Sequence, residues 1–523
     1  MSSRQTMTVL LAIFVAVTLT ACDSTSNIVQ STCPAVGNLT PVELALNMCE
    51  ISGELTQDAT LLSTITWFLN GRFQVGNAGS QVALDIDPGT EIRGDSPDDH
   101  LLVFPGSALR ANGTGANPVR FLSDDADVDG SGEWGGVFLR GFNGLPTLTG
   151  TQRANRLDYV VVAEAGAPVE VTIDGQTVTY QDNLVLNGVD QNTILTFVQS
   201  HNSARDGLHI LNGDPRLSWI LVTGAQRDCI WYRDFTGLIK DLMVIHNRDT
   251  DGSTGRSGIY ASETVDGDSN PRIVNATLVG RDNSSEVGGA DANEFGILFA
   301  DNTDQIRLGN VLIANFRNGC YEADSGADLS EIDTNIPGPN YLDGVHCANE
   351  AGANPNFGIV RAGSTDFPPG TVAANNSNGD GLVYYNGTGG ELVDSGLFDA
   401  ASGGINFTGE LVERGNNFTA GWYLDNIRGI GNRLLANPDF LNGFLDGDTN
   451  NNGVLESGID DRSPFIIADD GPGGFNQDVA EDTFGYDMTH VGSVRGGAPT
   501  NTQFDNWTVD TLRSAPFTVR TTP

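Results

Sequence analysis

Short apolar runs separated by small polar residues dominate the chain from about residue 50 onward. Runs of Val, Ile, Leu and Phe alternate with Gly, Asn and Asp at intervals of roughly eight to twelve residues, the spacing typical of strands and turns. No amphipathic helix of useful length interrupts this pattern. The chain is therefore predicted to be an all-β protein built from many short strands.

An internal repeat in the middle of the chain makes the predicted fold more specific. Five segments share one template: an apolar strand, a polar corner in which Arg precedes Asp or Asn, and a second apolar strand. Their corners are Arg205/Asp206, Arg227/Asp228, Arg248/Asp249, Arg281/Asp282 and Arg317/Asn318. The arginines are 22, 21, 33 and 36 residues apart. This spacing indicates a coil of about 21–23 residues with insertions of about a dozen residues at one corner.

Such a coil predicts a single long right-handed parallel β-helix, a solenoid with loop insertions at its corners. Each coil would lay two or three short strands on the coil below at about 4.8 Å, and parallel crossovers favour the right hand. Two early segments, containing Pro88-Gly89 and Pro105-Gly106, share a strand–turn–strand pattern. A β-sandwich array is the alternative, but its hairpins would not place the Arg-Asp pair at the same position of each repeat.

The N-terminal segment has the form of a bacterial export signal. Arg4 precedes an apolar run at residues 9–19 that is too short to span a membrane. The run ends in Leu19-Thr20-Ala21-Cys22, which resembles the bacterial lipobox and implies cleavage before Cys22 and acylation of its thiol. A cysteine placed there by chance behind an ordinary signal peptide is the alternative. We expect an exported, lipid-anchored protein of the bacterial cell envelope, with the membrane and face left open.

Charge excludes some partners and favours others. The chain has 27 Lys and Arg against 67 Asp and Glu, a formal charge of −40, and Lys240 is its one lysine. Such a surface repels phosphate backbones, so no nucleic-acid partner is expected. Cations, Ca²⁺ in particular, fit this composition better.

Five cysteines follow Cys22, and outside the cytoplasm they can form disulfides. The pairs that close loops of modest length are Cys33–Cys49 and Cys320–Cys347. Cys229 is then left over as a small buried hydrophobe.

Two acidic loops suggest structural Ca²⁺ sites, because oxygen-bearing residues at alternate positions suit a hard cation. The first has Asp446, Asp448, Asn450, Asn452 and Glu456, and Gly453 is the sixth position when Asp448 is counted as the first. Ile459 stands where an EF-hand loop has its bidentate Glu. The second loop has Asp125, Asp127 and Asp129. Ordinary Asp/Asn turns are the alternative for both.

The stacked Arg-Asp corners are the candidate ligand face. An edge formed by Arg205, Asp206, Arg227, Asp228, Arg248, Asp249, Arg281 and Asp282 would suit an acidic polysaccharide. Alternatively, these charges pair on successive coils and only prevent like charges from stacking. A lyase would also need an unpaired basic group with a lowered pKa, and the sequence identifies no catalytic residue.

Several segments resemble one known family, the bacterial envelope lipoproteins and secreted proteins of the right-handed parallel β-helix type. They are residues 49–56, 67–76, 88–90, 111–121, 132–137, 157–162 and 491–508. The resemblance implies the architecture but no reaction, because most members have none assigned. Residues 324–394, rich in Gly, Asn and Pro, depart from the pattern.

The predicted organisation follows from these features. A signal peptide (1–21) precedes a linker and cap (22–48), the parallel β-helix (49–325), an irregular loop-rich continuation (326–394), and C-terminal coils with an acidic loop cap (395–523). The favoured function is a non-enzymatic envelope binding or adhesion protein with an extended glycan-type face. The alternatives are a Ca²⁺-dependent polysaccharide lyase or glycoside hydrolase, and a structural spacer.

Overall fold

The computed structural model describes residues 33–125, 130–246, 257–279, 295–303 and 305, Trp507 and Thr508, and the later strands given below. None of these residues forms a helix with the length and hydropathy of a membrane span.

The regular elements of the described residues are strands. The first fifteen in chain order are β1 (Val42–Ala45), β2 (Met48–Leu55), β3 (Ala59–Leu61), β4 (Thr66–Val75), β5 (Ala83–Ile86), β6 (Glu91–Gly94), β7 (His100–Val103), β8 (Ala108–Asn112), β9 (Val119–Ser123), β10 (Gly136–Arg140), β11 (Arg156–Ala163), β12 (Val169–Ile173), β13 (Gln176–Tyr180), β14 (Leu184–Asn187) and β15 (Ile194–His201). The next ten are β16 (Leu208–Gly213), β17 (Arg216–Thr223), β18 (Ile230–Phe235), β19 (Leu238–Ile245), β20 (Ile259–Ser262), β21 (Arg272–Val279), β22 (Phe295–Phe299), β23 (Arg307–Ala314), β24 (Gly319–Ala323) and β25 (Tyr341–Ala348). The last are β26 (Val360–Arg361), β27 (Thr371–Ala374), β28 (Leu382–Tyr385), β29 (Phe398–Asp399) and β30 (Gly404–Ile405).

Parallel ladders arrange the strands into three sides of a coil. The first side stacks β7, β10, β14, β16, β18, β20, β22 and β24. From β11 onward, each eight-residue strand bends once, so its first half lies on the second side and its second half on the third. The register pairs Val198 with Ile220 and Ile220 with Leu242, at intervals of 22 residues. The predicted right-handed parallel β-helix is confirmed.

Alternate residues of every side point inward and fill the coil with apolar rows. On the first side Leu208, Ile210, Ile230 and Tyr232 are at most 1% exposed, and one continuous apolar cluster runs from Val36 to Ile313. Because each coil can bury its inner face only against its neighbours, stacking itself supplies the core.

The two Pro-Gly segments lie at different corners of the coil. Pro88-Gly89 joins β5 to β6, between the second and third sides, whereas Pro105-Gly106 joins β7 to β8, between the first and second. Both glycines have φ above +80°, which L side chains rarely adopt. The shared pattern is therefore a local strand–turn–strand unit used at two different corners.

A single residue in the left-handed region makes the bend between the second and third sides. These residues stack on successive coils: Tyr159, Phe197, Trp219, Asp241 and Asn275, with φ between +49° and +57°. Aromatic residues are costly in this region, but the rings of Tyr159 and Phe197 are parallel at 4.3 Å, and those of Phe197 and Trp219 at 5.7 Å. Stacking offsets the backbone strain.

Asp241 places a carboxylate in this stack of left-handed residues. Its side chain is 2% exposed, and burial raises its pKa to about 6, although Lys240 and the Asn275 amide, which donates a hydrogen bond at 3.1 Å, favour the ionised form. Since the ordinary value is 3.8, the folded protein binds this proton more tightly than the unfolded chain. The free energy of unfolding is therefore expected to fall as the pH rises from about 4 to 6.

Asp241→Asn is expected to stabilise the protein by about 2 kcal/mol above pH 7 and to flatten this slope, because the buried charge is removed and Asn tolerates the left-handed region. Urea midpoints at pH 5 and pH 8 measure both effects. Asn275→Asp is the opposite control, since it adds a second carboxylate and should destabilise at pH 8. Equal midpoints for wild type and Asp241→Asn at pH 8 would contradict the prediction.

One insertion lies at the corner between the third and first sides. The antiparallel hairpin β12–β13 leaves the coil after β11 and returns before β14. Its residues Val169, Val171, Ile173 and Tyr180 pack on Leu102, Phe138 and Val185, the outward-facing residues of three stacked first-side strands. The hairpin therefore covers this part of the first side.

The two ends of the coil differ from its middle. At the N-terminal end, Cys33 and Cys49 form a disulfide with a Cα–Cα distance of 5.8 Å. At the other end, β25 pairs in parallel with β23, so the ladder extends past residue 325 to Ala348. Beyond it, β26–β28 and β29–β30 pair antiparallel. The side chains of Cys320 and Cys347 lie outside the described residues, so their pairing stays a prediction.

Candidate functional site

The Arg-Asp corners described by the structure stack directly on one another. Each follows a third-side strand and precedes a first-side strand, and the backbone N–H of Arg227 donates to the carbonyl of Arg205 at 2.9 Å. One coil earlier, Gln181-Asp182 occupies the same corner. Two columns result, one of Gln181, Arg205 and Arg227 and one of Asp182, Asp206 and Asp228.

The carboxylate column holds the corners together. Asp182 accepts the backbone N–H of Asp206 at 3.2 Å, and Asp206 accepts that of Asp228 at 3.1 Å. Asp228 in turn accepts the backbone N–H of Ser257 at 2.8 Å. All three are at most 2% exposed. Each carboxylate therefore satisfies a donor of the next coil that would otherwise be buried without a partner.

The neighbouring column supplies compensating charge. Arg227 binds Asp206 through two donors, with Nε 2.7 Å from Oδ1, and its Nε lies 3.3 Å from Asp228. Arg205 donates instead to the Gln181 side-chain oxygen at 2.7 Å. Arg227 thus pairs with the carboxylate of the preceding coil and compensates part of the charge of the stacked carboxylates.

The corner shifts the pKa values of its acids in different directions. Burial and the adjacent Asp206 raise the pKa of Asp228 to about 7, and burial and Asp182 raise that of Asp206. Burial also disfavours the charge on Asp182, but His209, Arg227 and Arg205 outweigh it and lower its pKa. Burial disfavours the Arg227 charge as well, but Asp206 outweighs this and raises the pKa of Arg227.

An aromatic side chain lies on the outer face beside this corner. The His209 ring stacks on Trp231 with centroids 4.0 Å apart, and His209 Nδ1 lies 2.7 Å from Asp182. Three guanidinium carbons, those of Arg227, Arg205 and Arg233, lie 4.8, 5.8 and 6.0 Å from the centre of the indole.

These groups remain partly exposed. Trp231 and the three arginines are neither buried nor fully exposed, and the Trp231 Nε1 donates to Ser262 Oγ at 3.1 Å. The Nε of Arg233 is buried and has no hydrogen-bond partner among the described groups. We call Trp231, Arg205, Arg227 and Arg233 the Trp231 face.

Register fixes where this face lies on the coil. The outward column of the first side runs from Phe138 through Val185 and His209 to Trp231 and Tyr260. The hairpin β12–β13 covers the residues of this column up to Val185. Trp231 therefore lies two coils beyond the last covered residue.

One set of ligand atoms is arranged closely enough for a cation. Atoms of Asp182, Asp206 and His209 lie within 4.8 Å of one another. The same carboxylates already receive backbone N–H groups, His209 and Arg227. A cation would have to displace these partners, so the cluster fits internal compensation better than metal binding.

The structure brings together part of the predicted ligand face. Arg205, Asp206, Arg227 and Asp228 are adjacent, whereas Arg248, Asp249, Arg281, Asp282 and Arg317 lie outside the described residues. So do Cys22, Asp127 and Asp129, and all five proposed ligands of the second acidic loop, Asp446, Asp448, Asn450, Asn452 and Glu456. Asp125 is described, and its backbone N–H donates to Ser123 Oγ at 3.0 Å.

Sequence reasoning missed Asp182, His209 and Trp231. Gln181-Asp182-Asn183-Leu184 has the same phase as Arg205-Asp206-Gly207-Leu208, but Gln181 replaces the arginine that defined the template. His209 and Trp231 occupy equivalent positions after successive corners. This equivalence is visible in the sequence and could have identified both residues.

A stack of short strands around an apolar interior, with polar corners in register, defines a parallel β-helix protein. A family model described as a pectate-lyase like beta helix domain matches residues 53–339. This is more than half of the chain, which therefore belongs to the pectate-lyase-like β-helix family.

Comparison with solved structures finds similarity to tailspike protein 2 from Escherichia coli O157:H7 bacteriophage CAB120. The sequence identity is 12% and the TM-score 0.25, and the match covers 63% of this chain. The match spans 42% of the tailspike chain. No curated protein matches the sequence.

Proposed function

We propose that this protein is an exported, lipid-anchored envelope protein that binds an acidic glycan at the Trp231 face without cleaving it. The observation that carries the proposal is the grouping of three guanidinium groups around one partly exposed indole. In a chain with 27 basic residues against 67 acidic ones, three guanidinium groups around one ring are a notable concentration of arginine.

The chemistry of the face suits uronate rings. A guanidinium group binds carboxylates with defined geometry, and an indole offers a flat apolar surface with a polar edge.

Burial of the acids supports binding over catalysis. A hydrolase needs two carboxyl groups that reach the glycosidic bond, whereas Asp182, Asp206 and Asp228 are at most 2% exposed and accept backbone N–H groups. Their positions are explained by the stacking of the corners.

One observation favours glycoside hydrolysis as the second candidate function. Asp228, with its pKa raised to about 7 next to Asp206, has the property expected of a general acid. Formation of new reducing ends, or of an unsaturated uronate product, distinguishes an enzyme from a binding protein.

Export, acylation of Cys22 and Ca²⁺ binding by the two acidic loops belong to the same proposal and rest on the sequence patterns. Acylation would supply the membrane attachment, because two or three acyl chains anchor stably where one does not.

Binding to the Trp231 face is tested with polygalacturonate oligomers. Trp231→Ala and Arg233→Met are each expected to weaken the affinity about tenfold, the effect of removing a central aromatic or arginine contact. Isothermal titration calorimetry measures the affinity. Arg216→Ala is the matched control, since this exposed arginine contacts Gln191 on another side of the coil. Equal affinity of wild type and both variants would contradict the proposal.

A further inference from the structure

The N-terminal end of the coil carries an unusual apolar hairpin. Among the described residues six large hydrophobic side chains are exposed, and three of them lie within five positions: Val42 at 57%, Leu44 at 49% and Leu46 at 65%. Single exposed hydrophobic residues are common on protein surfaces, but a group of them indicates an interaction site.

β1 lies at the N-terminal edge of the coil, against β2, the first strand of the parallel ladder. β1 pairs antiparallel with β2 through the two-residue loop Leu46-Asn47, and all four residues of β1 are exposed. Among the described strands β2 is the one partner of β1. Leu44 is the bulged residue between Glu43 and Ala45, and Leu46 lies in the loop at the tip.

The chain that leads to the hairpin is short. Cys33, the first described residue, is joined by its disulfide to Cys49, the register partner of Glu43 in β1. Eleven peptide units separate Cys22 from Cys33, and fully extended they span about 40 Å. An acyl group on Cys22 would therefore hold the hairpin close to the bilayer.

Charge around the hairpin identifies the kind of contact. No Lys or Arg occurs between Arg4 and Arg72, whereas Glu43, Glu50 and Glu54 lie on the two strands. Attraction to anionic lipid headgroups is thus absent. Three exposed apolar side chains without a basic residue nearby suit a neutral bilayer better than an anionic one.

We propose that Val42, Leu44 and Leu46 insert into the bilayer to which the protein is anchored, as a second membrane contact that fixes the orientation of the coil. This inference rests on the lipid-anchoring part of the proposed function and is independent of glycan binding. The contact is apolar, so it requires no anionic lipid and is insensitive to salt.

The test places an environment-sensitive thiol-reactive fluorophore on Leu46→Cys, and separately on Leu44→Cys, in the full-length acylated protein. The protein is reconstituted in phosphatidylcholine vesicles that contain a lipid with a spin label on its acyl chain. Val265→Cys, at an exposed apolar residue remote in sequence, is the matched control. Labelled wild type supplies the background from other thiols.

The expected result is a several-fold increase in fluorescence with a blue shift at positions 44 and 46, quenching by the spin-labelled lipid, and no change at position 265. Fluorescence at position 46 equal to that at 265 in membrane-bound protein would overturn the inference. Shielding that is present without vesicles, or that depends on protein concentration, would also overturn it, because the occupant would then be the chain's own N-terminal segment or a second copy.

The mass of the N-terminal peptide reports acylation of Cys22 independently. A failure of the anchor is therefore distinguished from a failure of the hairpin contact.

Discussion

Replacing Arg227 with alanine is expected to lower the free energy of unfolding by about 3 kcal/mol, the scale on which removing one partner of a buried ion pair destabilises a protein. The guanidinium group is the two-donor partner of Asp206, which is fully buried, and it also contacts Asp228. Without it, two carboxyl groups that cap adjacent coils lose their compensating charge. Urea denaturation followed by near-ultraviolet circular dichroism measures the loss.

The loss is expected to depend on pH. Burial raises the pKa of Asp228 to about 7 and raises that of Asp206 as well, so both acids take up protons more readily in the folded state. Removing Arg227 raises both values further, and stability then falls more steeply as the pH rises from about 4 to 8. Arg216→Ala is the matched control and should leave the midpoint unchanged. A variant as stable as wild type at pH 8 would show that Arg227 does not compensate the column.

Replacing Trp507 with alanine is expected to lower the free energy of unfolding by about 3–5 kcal/mol, as for other buried tryptophans. Trp507 is 1% exposed and meets the rings of Tyr159 and Phe197 edge-on, with centroids 5.9 and 6.1 Å away. These rings are more than 300 positions earlier in the sequence. The contact therefore joins a distant part of the chain to the stacked rings of Tyr159 and Phe197.

Trp507→Phe separates ring contact from side-chain volume. It keeps an aromatic edge against the stacked rings and should lose much less stability than the alanine variant. Limited proteolysis supplies a second measurement, because release of Trp507 should make the chain after the coil cleave faster in Trp507→Ala. Equal stability and equal cleavage of wild type and Trp507→Ala would contradict this role.

The coil could be predicted because its physical signal is repeated. Arg followed by Asp or Asn recurs after an apolar strand in every copy of the template. Where nothing is inserted, a coil of 22 residues places this pair at the same corner. The inward rows need only apolar residues at alternate positions, and these are visible without a structure.

Contacts between coils were harder to predict. The sequence suggested that these charges pair on successive coils, but which arginine meets which carboxylate depends on the register across a corner. Gln181 concealed a further copy, because it replaces the arginine that defines the template. The left-handed aromatic residues at positions 159, 197 and 219 follow no simple propensity, because stacking between coils offsets the cost of their backbone conformation.

Binding of an acidic glycan without cleavage is tested most directly by incubating the wild-type protein with polygalacturonate oligomers. The quantity bound and the quantity of new chain ends are measured in the same sample over time. The account predicts saturable binding that weakens with salt and an unchanged number of chain ends. Steady release of product that stops in Asp228→Asn would contradict it and would show that the carboxylate column is catalytic.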